Sequence, residues 1–415
     1  MVTSRPGPTR QLDERVIEVS AFVAAPFAGM TLARLGCDVV RVDPPGGGLD
    51  FKRWPVTAAG KSLFWAGLNK GKRSVAVDFR RPEGRELVVG MIVAGGRDED
   101  ARAPRGGIFL TNLGARGPLR HSSLRRQRED VISVEVEGYR DGRSAVDYIV
   151  AAGSGVPLLV GREDHVGPVN SPLPTWDIAT GLNAAIATRE AMWRRHETGL
   201  GARARIALVE VALDVLSALG FVDEEGAMQS RVRDGNYLYD AFGRDFELAD
   251  GARVMVVAIT GKQWRSLVNA TGLSADVELI ESSTGLDLSL EGDCWKARHR
   301  IASLVERWCA DRRFAEVADA FDANEVCWGQ YGTACEVLGR SGQGSQDCGG
   351  LPIRFEDEPS ISVGEVPLLG QHTEEVLAGV LGLSAHELGR LYDRGLIAGP
   401  ERGPAPRSGK LGCRR

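Results

Sequence analysis

The alternation of apolar and polar positions near the start of the chain predicts a short βαβ unit. Residues 16–20 predict a strand, Pro26 suits the first turn of a helix, and Gly36 ends that helix. Residues 37–43 predict a second buried strand. Because two strands joined by a helix lie parallel with a right-handed crossover, this pattern indicates an α/β fold with a parallel sheet.

The same alternation of strands and helices continues to residue 220. Strands are predicted at 72–79, 107–111, 131–135 and 203–209, and helices are predicted to begin at Pro82, Asp177 and Val211. The helix from Asp177 is the longest and ends just before Gly199. The polar, Gly-rich stretch 95–107 is predicted to be a surface loop.

The pattern changes after residue 222 and predicts a second, smaller α+β domain over 223–325. Two strand-like runs meet at Asp250-Gly251, which is a hairpin signal. Helical patterns follow at 264–270 and 295–308, and two short helices are predicted further on, joined near Gly382. The two ends of the chain, 1–11 and 401–415, are predicted to be flexible tails.

Composition and charge exclude several classes of protein. The net charge of −5 gives no basic footprint, so nucleic acid is not an expected partner. The longest apolar run, 148–161, contains Gly and Pro and is shorter than the roughly 20 residues of a bilayer span, so no membrane association is expected. The chain begins without the apolar region of a signal peptide, and its seven cysteines include no C-x-x-C pair. These features favour reduced thiols in a cytoplasmic protein.

Several catalytic motifs are incomplete. Residues 67–74 resemble a phosphate loop, but the glycines are one residue too close and Arg73 replaces the metal-binding Ser or Thr. The first βα turn lacks G-x-G-x-x-G. The segment HELGR from His386 has Arg390 where a zinc-protease helix needs its second His, and 153–155 lacks the spacing of a nucleophile elbow. Metal, hydride and serine chemistry are therefore not supported, and no metal ligands are predicted.

Two carboxylates remain as candidates for chemistry. Asp177 precedes the long helix and fits either an N-cap residue or a nucleophile kept ionised at a helix N-terminus, where N–H groups could stabilise an oxyanion. Local sequence does not decide between these two interpretations. Asp147, directly before an apolar run, is a second candidate acid, and local sequence favours the alternative of a helix-start or turn residue.

Isolated histidines and a set of arginines carry weaker signals. His121, His165 and His372 stand alone and are expected at the solvated surface. The basic residues near predicted strand ends fit either a solvated face or a phosphate-binding rim; they are Arg73, Arg80, Arg81, Arg116 and Arg120.

Over about residues 12–400 the sequence resembles the family III CoA-transferases. The resemblance rests on the order and spacing of six segments, which are 16–48, 69–86, 109–119, 176–181, 367–377 and 388–397. It implies a large Rossmann-like domain built from both chain ends, 12–222 and 326–400, with the smaller domain inserted at 223–325. It also implies that two chains interlock as a homodimer.

The resemblance assigns roles to individual residues. The family's nucleophilic aspartate falls on Asp177, which favours the second interpretation above. Its substrate and CoA contacts fall on Ala24, Phe79, Arg80, Asn112, Leu113 and Arg120, with Asp147 as a further residue of the substrate site. Three positions depart from formyl-CoA transferase, since Ala24 replaces a polar residue, Pro44 an Arg and Glu137 a Lys.

Other departures favour one reaction within the family. The His that precedes an Asp in family racemases is missing before Asp147, and a Gly-rich closing loop is not evident at 230–260. Segments 62–87, 140–148 and 235–246 are most similar to members that move CoA within one dicarboxylate. The expected reaction moves CoA from the C1 to the C4 carboxyl group of mesaconyl-CoA through an aspartyl mixed anhydride and an aspartyl-CoA thioester.

This reaction implies an acyl-CoA substrate and no metal or redox cofactor. The alternatives are intermolecular transfer to a succinate- or carnitine-type acid, racemisation of an α-methylacyl-CoA, and non-catalytic CoA binding. Residues 332–350 fit the family poorly and suggest no function.

Overall fold

The structure is a computed structural model that describes residues 12–95, 106–221, 231–334 and 364–400, together with residues 336 and 353. Its strands are β1 (Leu12–Val19), β2 (Cys37–Asp43), β3 (Arg73–Val77), β4 (Ile108–Thr111), β5 (Ile132–Glu137), β6 (Ala202–Ala207), β7 (Phe242–Glu247), β8 (Arg253–Ala258), β9 (Cys327–Gln330) and β10 (Ile397–Ala398). Its helices up to residue 218 are α1 (Ala24–Arg34), α2 (Leu63–Leu68), α3 (Pro82–Val93), α4 (His121–Gln127), α5 (Asp147–Ser154), α6 (Thr175–Thr198) and α7 (Leu208–Ala218). The later helices are α8 (Gly261–Thr271), α9 (Ser274–Thr284), α10 (Glu291–Lys296), α11 (Arg298–Ala310), α12 (Phe314–Ala323), α13 (Thr373–Leu381) and α14 (Ala385–Asp393).

A seven-stranded sheet forms the centre of the first of two compact units. Its strand order is β10-β3-β2-β1-β4-β5-β6, and every pair is parallel except β10 with β3. Ile17 of β1 lies at the centre, in register with Val40 of β2 on one side and Phe109 of β4 on the other. All three side chains are buried, as expected where helices cover both faces of a parallel sheet. The predicted α/β fold with a Rossmann-like parallel sheet is confirmed.

Local sequence signals explain where the elements of this unit begin and end. Pro82 occupies the first turn of α3, where its missing N–H costs nothing. Gly199 ends α6 in the left-handed conformation (φ 72°) that glycine adopts without strain. Helix α6 begins at Thr175, two residues earlier than predicted, so Asp177 lies in its first turn rather than opening it.

The second compact unit has its own antiparallel sheet and its own core. The strand order is β7-β8-β9, and Asp250 and Gly251 form the predicted turn between β7 and β8. Phe242, Val256 and Phe321 are among the side chains buried where the helices pack on this sheet. The predicted α+β character of this part of the chain is confirmed.

The borders of the two units differ from the predicted ones. Within the described residues, the first unit contains 12–95, 106–155, 170–221 and 364–400, and the second contains 156–169 and 231–334. Residues 156–169 belong to the second unit because they hydrogen-bond there, with Gly235 N donating to Gly161 O at 3.0 Å. The chain does not return to the large unit at 326, because β9 pairs with β8 and completes the small sheet.

Some predictions concern residues outside the described ranges. These are both tails, most of the predicted 95–107 loop and most of 332–350. Among the cysteines that are described, Cys37, Cys294, Cys309 and Cys327 are free thiols. Within the described ranges, none of the helices combines the length and apolar character needed to span a bilayer.

Candidate active site

An open cavity of about 430 Å³ lies at the carboxyl ends of the central strands of the large sheet. Its lining includes residues that directly follow β1, β4 and β5, together with Asp177 from α6. From β1 the chain proceeds outward through β2 and β3 and then returns to place β4 on the other side of β1. Such a switch point leaves a crevice beyond the strand ends, which is where open α/β sheets bind ligands.

The β1 and β4 ends are tied together by Asn112. Its Oδ1 accepts from Ala21 N at 2.9 Å, and its Nδ2 donates to Ala21 O at 2.7 Å. The paired bonds fix the turn that follows β1, in which Phe22 adopts a positive φ of 63°. Oδ2 of the buried Asp50 accepts from Phe22 N at 3.1 Å and holds this uncommon conformation.

Asp177 lines this cavity from the first turn of α6, where its side chain is partly buried. Burial is the larger cause, and the negative charge of Asp147 the second, of a pKa raised to about 6 for the Asp177 carboxyl. The positive charge of Arg53 acts in the opposite direction. The carboxylate is therefore ionised at neutral pH but poorly solvated, a combination suited to nucleophilic attack.

Asp147 has a different place from the predicted substrate contact. It is buried at the start of α5, and it is not among the residues that line the cavity. Its Oδ2 accepts from the backbone N–H groups of Trp176 at 2.7 Å and Asp177 at 3.1 Å. Asp147 thus caps α6 from another helix and fixes the turn that carries Asp177.

This cap changes the expected source of oxyanion stabilisation. The N–H groups at positions 176 and 177 are used by Asp147, and those at 175 and 178 donate to backbone carbonyls. All of the donors that the N-terminus of α6 could direct at an oxyanion are therefore occupied. The prediction that these N–H groups stabilise a tetrahedral intermediate is wrong for this conformation.

The structure brings together only part of the predicted CoA-binding set. Ala24, Asn112 and Leu113 line the cavity with Asp177. Phe79 packs against the apolar core beside β3, and Arg80 is largely exposed with its Nε 2.8 Å from Asp78 Oδ1. Arg120 lies just before α4. These last three residues do not line the cavity.

The departure at Glu137 has a physical explanation in this chain. Glu137 lines the cavity at the end of β5, and its Oε1 pairs with Nε of Arg205 on the adjacent strand β6 at 2.5 Å. This partner offsets the negative charge that the glutamate places near the cavity.

Of the remaining predicted surface groups, Arg116 lines the cavity with Asp177, whereas Arg73 and His372 have structural roles. Arg73 pairs with Asp38, and Nδ1 of His372 accepts from Ser74 N at 3.1 Å. Sequence reasoning missed Phe22 and Arg53, since the conformation of the first and the contacts of the second depend on residues distant in sequence.

Comparison with known proteins agrees with this geometry. The family model for CoA-transferase family III matches residues 13–373. A 2-methylfumaryl-CoA isomerase of Chloroflexus aurantiacus is 47% identical over 94% of this chain and 98% of its own length. A succinyl-CoA–D-citramalate CoA-transferase of the same organism is 25% identical over 94% of this chain and 99% of its own. A crystal structure of a CAIB/BAIF family protein from Brucella suis superposes with a TM-score of 0.70 at 22% identity, covering 88% of this chain and 98% of that one. The chain belongs to CoA-transferase family III and is an enzyme of that family.

Proposed function

We propose that the protein moves CoA between the C1 and C4 carboxyl groups of one molecule, converting 2-methylfumaryl-CoA (mesaconyl-C1-CoA) into 3-methylfumaryl-CoA. The observation that carries this proposal is the 47% identity, over nearly the whole of both chains, to a 2-methylfumaryl-CoA isomerase. The partly buried Asp177 at the cavity supports the chemistry.

The proposed reaction begins with attack of the Asp177 carboxylate on the C1 thioester carbonyl. The C–S bond breaks, and a mixed anhydride and CoA thiolate form. The thiolate then attacks the aspartyl carbonyl, which gives an aspartyl-CoA thioester and a free dicarboxylate. The C4 carboxylate attacks this thioester, and the released thiolate attacks the C4 carbonyl of the second anhydride. Asp177 is regenerated, so no proton, electron or additional acid is consumed, and no metal or redox cofactor is needed.

Retention of the dicarboxylate is what makes the transfer intramolecular. A carboxylate held beside the aspartyl thioester reacts at a high effective concentration. In an intermolecular transferase the first acid must leave before the second binds. The donors for the tetrahedral oxyanions must come from groups other than the capped N–H groups of α6.

We propose that CoA binds with its thioester end in the cavity, against Ala24, Asn112 and Leu113. The distal, phosphate-bearing part of CoA is then expected to contact Phe79, Arg80 and Arg120, because guanidinium groups bind phosphates well. We further propose a homodimer. This is supported by an exposed apolar face on α6, formed by Leu182, Ile186 and Trp193.

The test is an isotope experiment with mesaconyl-C1-CoA and an excess of labelled free mesaconate. The expected product is the C4 thioester without label, and the Asp177→Ala variant should form none. Labelled thioester would instead indicate intermolecular transfer. Equal activity of wild type and Asp177→Ala would contradict the aspartyl mechanism.

A further inference from the structure

Arg53 lies near the cavity, and its positive charge has no role in the reaction described so far. Its guanidinium carbon lies 5.6 Å from the ring centroid of Phe22 and 5.0 Å from that of Phe64. Phe22 lines the same cavity as Asp177. The charge of Arg53 is also close enough to lower the pKa of the Asp177 carboxyl. Arg53 is therefore an exposed side chain that packs against Phe22 at the edge of the cavity, within electrostatic reach of Asp177.

The hydrogen-bond donors of Arg53 are unused in the described part of the chain. No carboxylate there pairs with its guanidinium, whereas Arg143, which lines the cavity, is 2.8 Å from Asp141. An arginine carries five N–H donors at the edge of a planar group. Contacts with aromatic rings orient that plane and leave the edge donors available for an anion.

The backbone around Arg53 is anchored to the same elements that hold the two rings. Arg53 N donates to Asp50 O at 3.1 Å, and Oδ2 of Asp50 accepts from Phe22 N. Ser62 Oγ donates to Arg53 O at 2.6 Å and caps the helix α2, which carries Phe64. These bonds fix the backbone at Arg53, so little of the main chain has to be ordered when its side chain binds an anion.

We propose that Arg53 binds the free carboxylate of the dicarboxylyl-CoA substrate and so sets the preference for acyl groups with a second carboxylate. This assignment rests on the function proposed above, in which one carboxylate of the substrate is free at every stage. A planar guanidinium can hold both carboxylate oxygens. It would keep the dicarboxylate next to Asp177 while CoA is exchanged.

The test measures binding in an Asp177→Asn background, so that no turnover occurs during calorimetric titration. The two ligands are mesaconyl-C1-CoA and its C4 methyl ester, in which one methyl group removes the charge of the distal carboxyl group. With Arg53 present, the acid should bind about 10- to 100-fold more tightly than the ester. Arg53→Gln should bring this ratio close to one, and Arg53→Lys should restore part of it. Arg312→Gln is the matched control, because Arg312 also lies over an aromatic ring, that of Trp308, in the other unit.

The outcomes separate this assignment from the proposed function. Equal weakening of both ligands by Arg53→Gln would mean that Arg53 binds CoA itself, and would overturn the assignment. Isomerisation by Arg53→Gln at the wild-type kcat/KM would also overturn it. An enzyme that prefers the acid through Arg53 but forms no C4 thioester would contradict the proposed function alone.

Discussion

Asp177 combines a reactive position with an environment that opposes its charge. Its carboxyl is partly buried, and Asp147 adds a second negative charge, so the pKa of Asp177 rises from 3.8 to about 6. If this carboxylate is the nucleophile, kcat/KM should fall tenfold per pH unit below about pH 6, because only the ionised form attacks. The midpoint is obtained from a pH profile of kcat/KM for isomerisation, with controls for buffer effects. A midpoint near pH 4 would mean that burial and the charge of Asp147 do not raise the pKa of the reacting carboxyl group, and it would contradict this prediction.

Variants of Asp147 separate its charge from its capping role. In Asp147→Asn, the amide oxygen can still accept from the N–H groups of Trp176 and Asp177, but the negative charge is gone. The acidic midpoint should therefore move to lower pH with little loss of thermal stability. Asp147→Ala should move it too, and should also cost about 1 kcal/mol of stability through the lost cap. An unchanged midpoint in both variants would exclude electrostatic coupling between the two aspartates.

The same environment predicts a gain in stability when the charge of Asp177 is removed. A carboxyl whose pKa is higher in the folded than in the unfolded protein destabilises the fold once it is ionised. Asp177→Asn should thus raise the free energy of unfolding by about 1 to 3 kcal/mol at pH 8, given a pKa of about 6 against 3.8. The gain should shrink as pH falls through 6 and vanish below about 4. Denaturant titrations at pH 8 and pH 4 provide the comparison, and an equal effect at both values would contradict the desolvation argument.

At the scale of elements, the contact of α1 with α6 positions the site. A Cβ at Gly181 of α6 would lie 2.6 Å from Ala24 O and 3.2 Å from Cβ of Phe27. Only glycine allows this approach, and it sets the distance between Ala24 and Asp177 on the two sides of the contact. The segment around Gly181 is therefore part of the site through its backbone rather than through a side chain.

We expect Gly181→Ala to push α1 away from α6 and to destabilise the protein by about 1 to 3 kcal/mol. It should also lower kcat, because Ala24 and Asp177 would separate at the cavity. The matched control is Gly379→Ala in α13, where a new Cβ meets no atom within 4 Å and should stabilise the helix slightly. Thermal unfolding and steady-state rates of the two variants make the comparison. Equal stability of both would contradict the close approach.

Elements with strong local signals could be predicted from sequence. The strand 37–43 and the start of α3 at Pro82 match the structure, because Val39, Val40 and Val42 are β-branched residues typical of a buried strand and proline fixes a first turn. The position of Asp177 near a helix start could also be predicted. Asp147 could be predicted as a candidate acid but not as the cap of α6. That role depends on a hydrogen bond from Trp176 N to Asp147 Oδ2, between residues 29 positions apart in sequence.

At the scale of the whole molecule, the two compact units are each interrupted in sequence. The small unit takes residues 156–169 from within the large one, and Nη2 of Arg233 donates to Gly167 O at 2.6 Å to hold them there. The sequence of 156–169 does not indicate that this segment belongs to the small unit, because the hydrogen bonds that hold it use backbone carbonyls, which any sequence provides. A boundary between residues 221 and 231 could be predicted from a change in pattern, whereas the crossing at 156–169 could not.

The proposed homodimer gives a reason for the exposed side chains on α6. Leu182, Ile186 and Trp193 lie on one face of the helix, and their exposed fractions are 44%, 67% and 60%. A contiguous exposed apolar stripe of this kind is typical of a surface that another chain covers. Sedimentation of the wild type should give twice the 44.6 kDa of one chain.

Ile186→Glu should shift that mass toward a single chain, because a charge buried without a partner strongly opposes association. Leu279→Glu, at a similarly exposed apolar residue of α9 outside this face, serves as the control and should leave the mass unchanged. Activity measured across a dilution series adds a second readout. If assembly stabilises α6, the specific activity of Ile186→Glu should fall on dilution while that of the control stays constant. A wild type that sediments as a single chain, or an Ile186→Glu variant that remains fully dimeric, would show that this face has another partner or none.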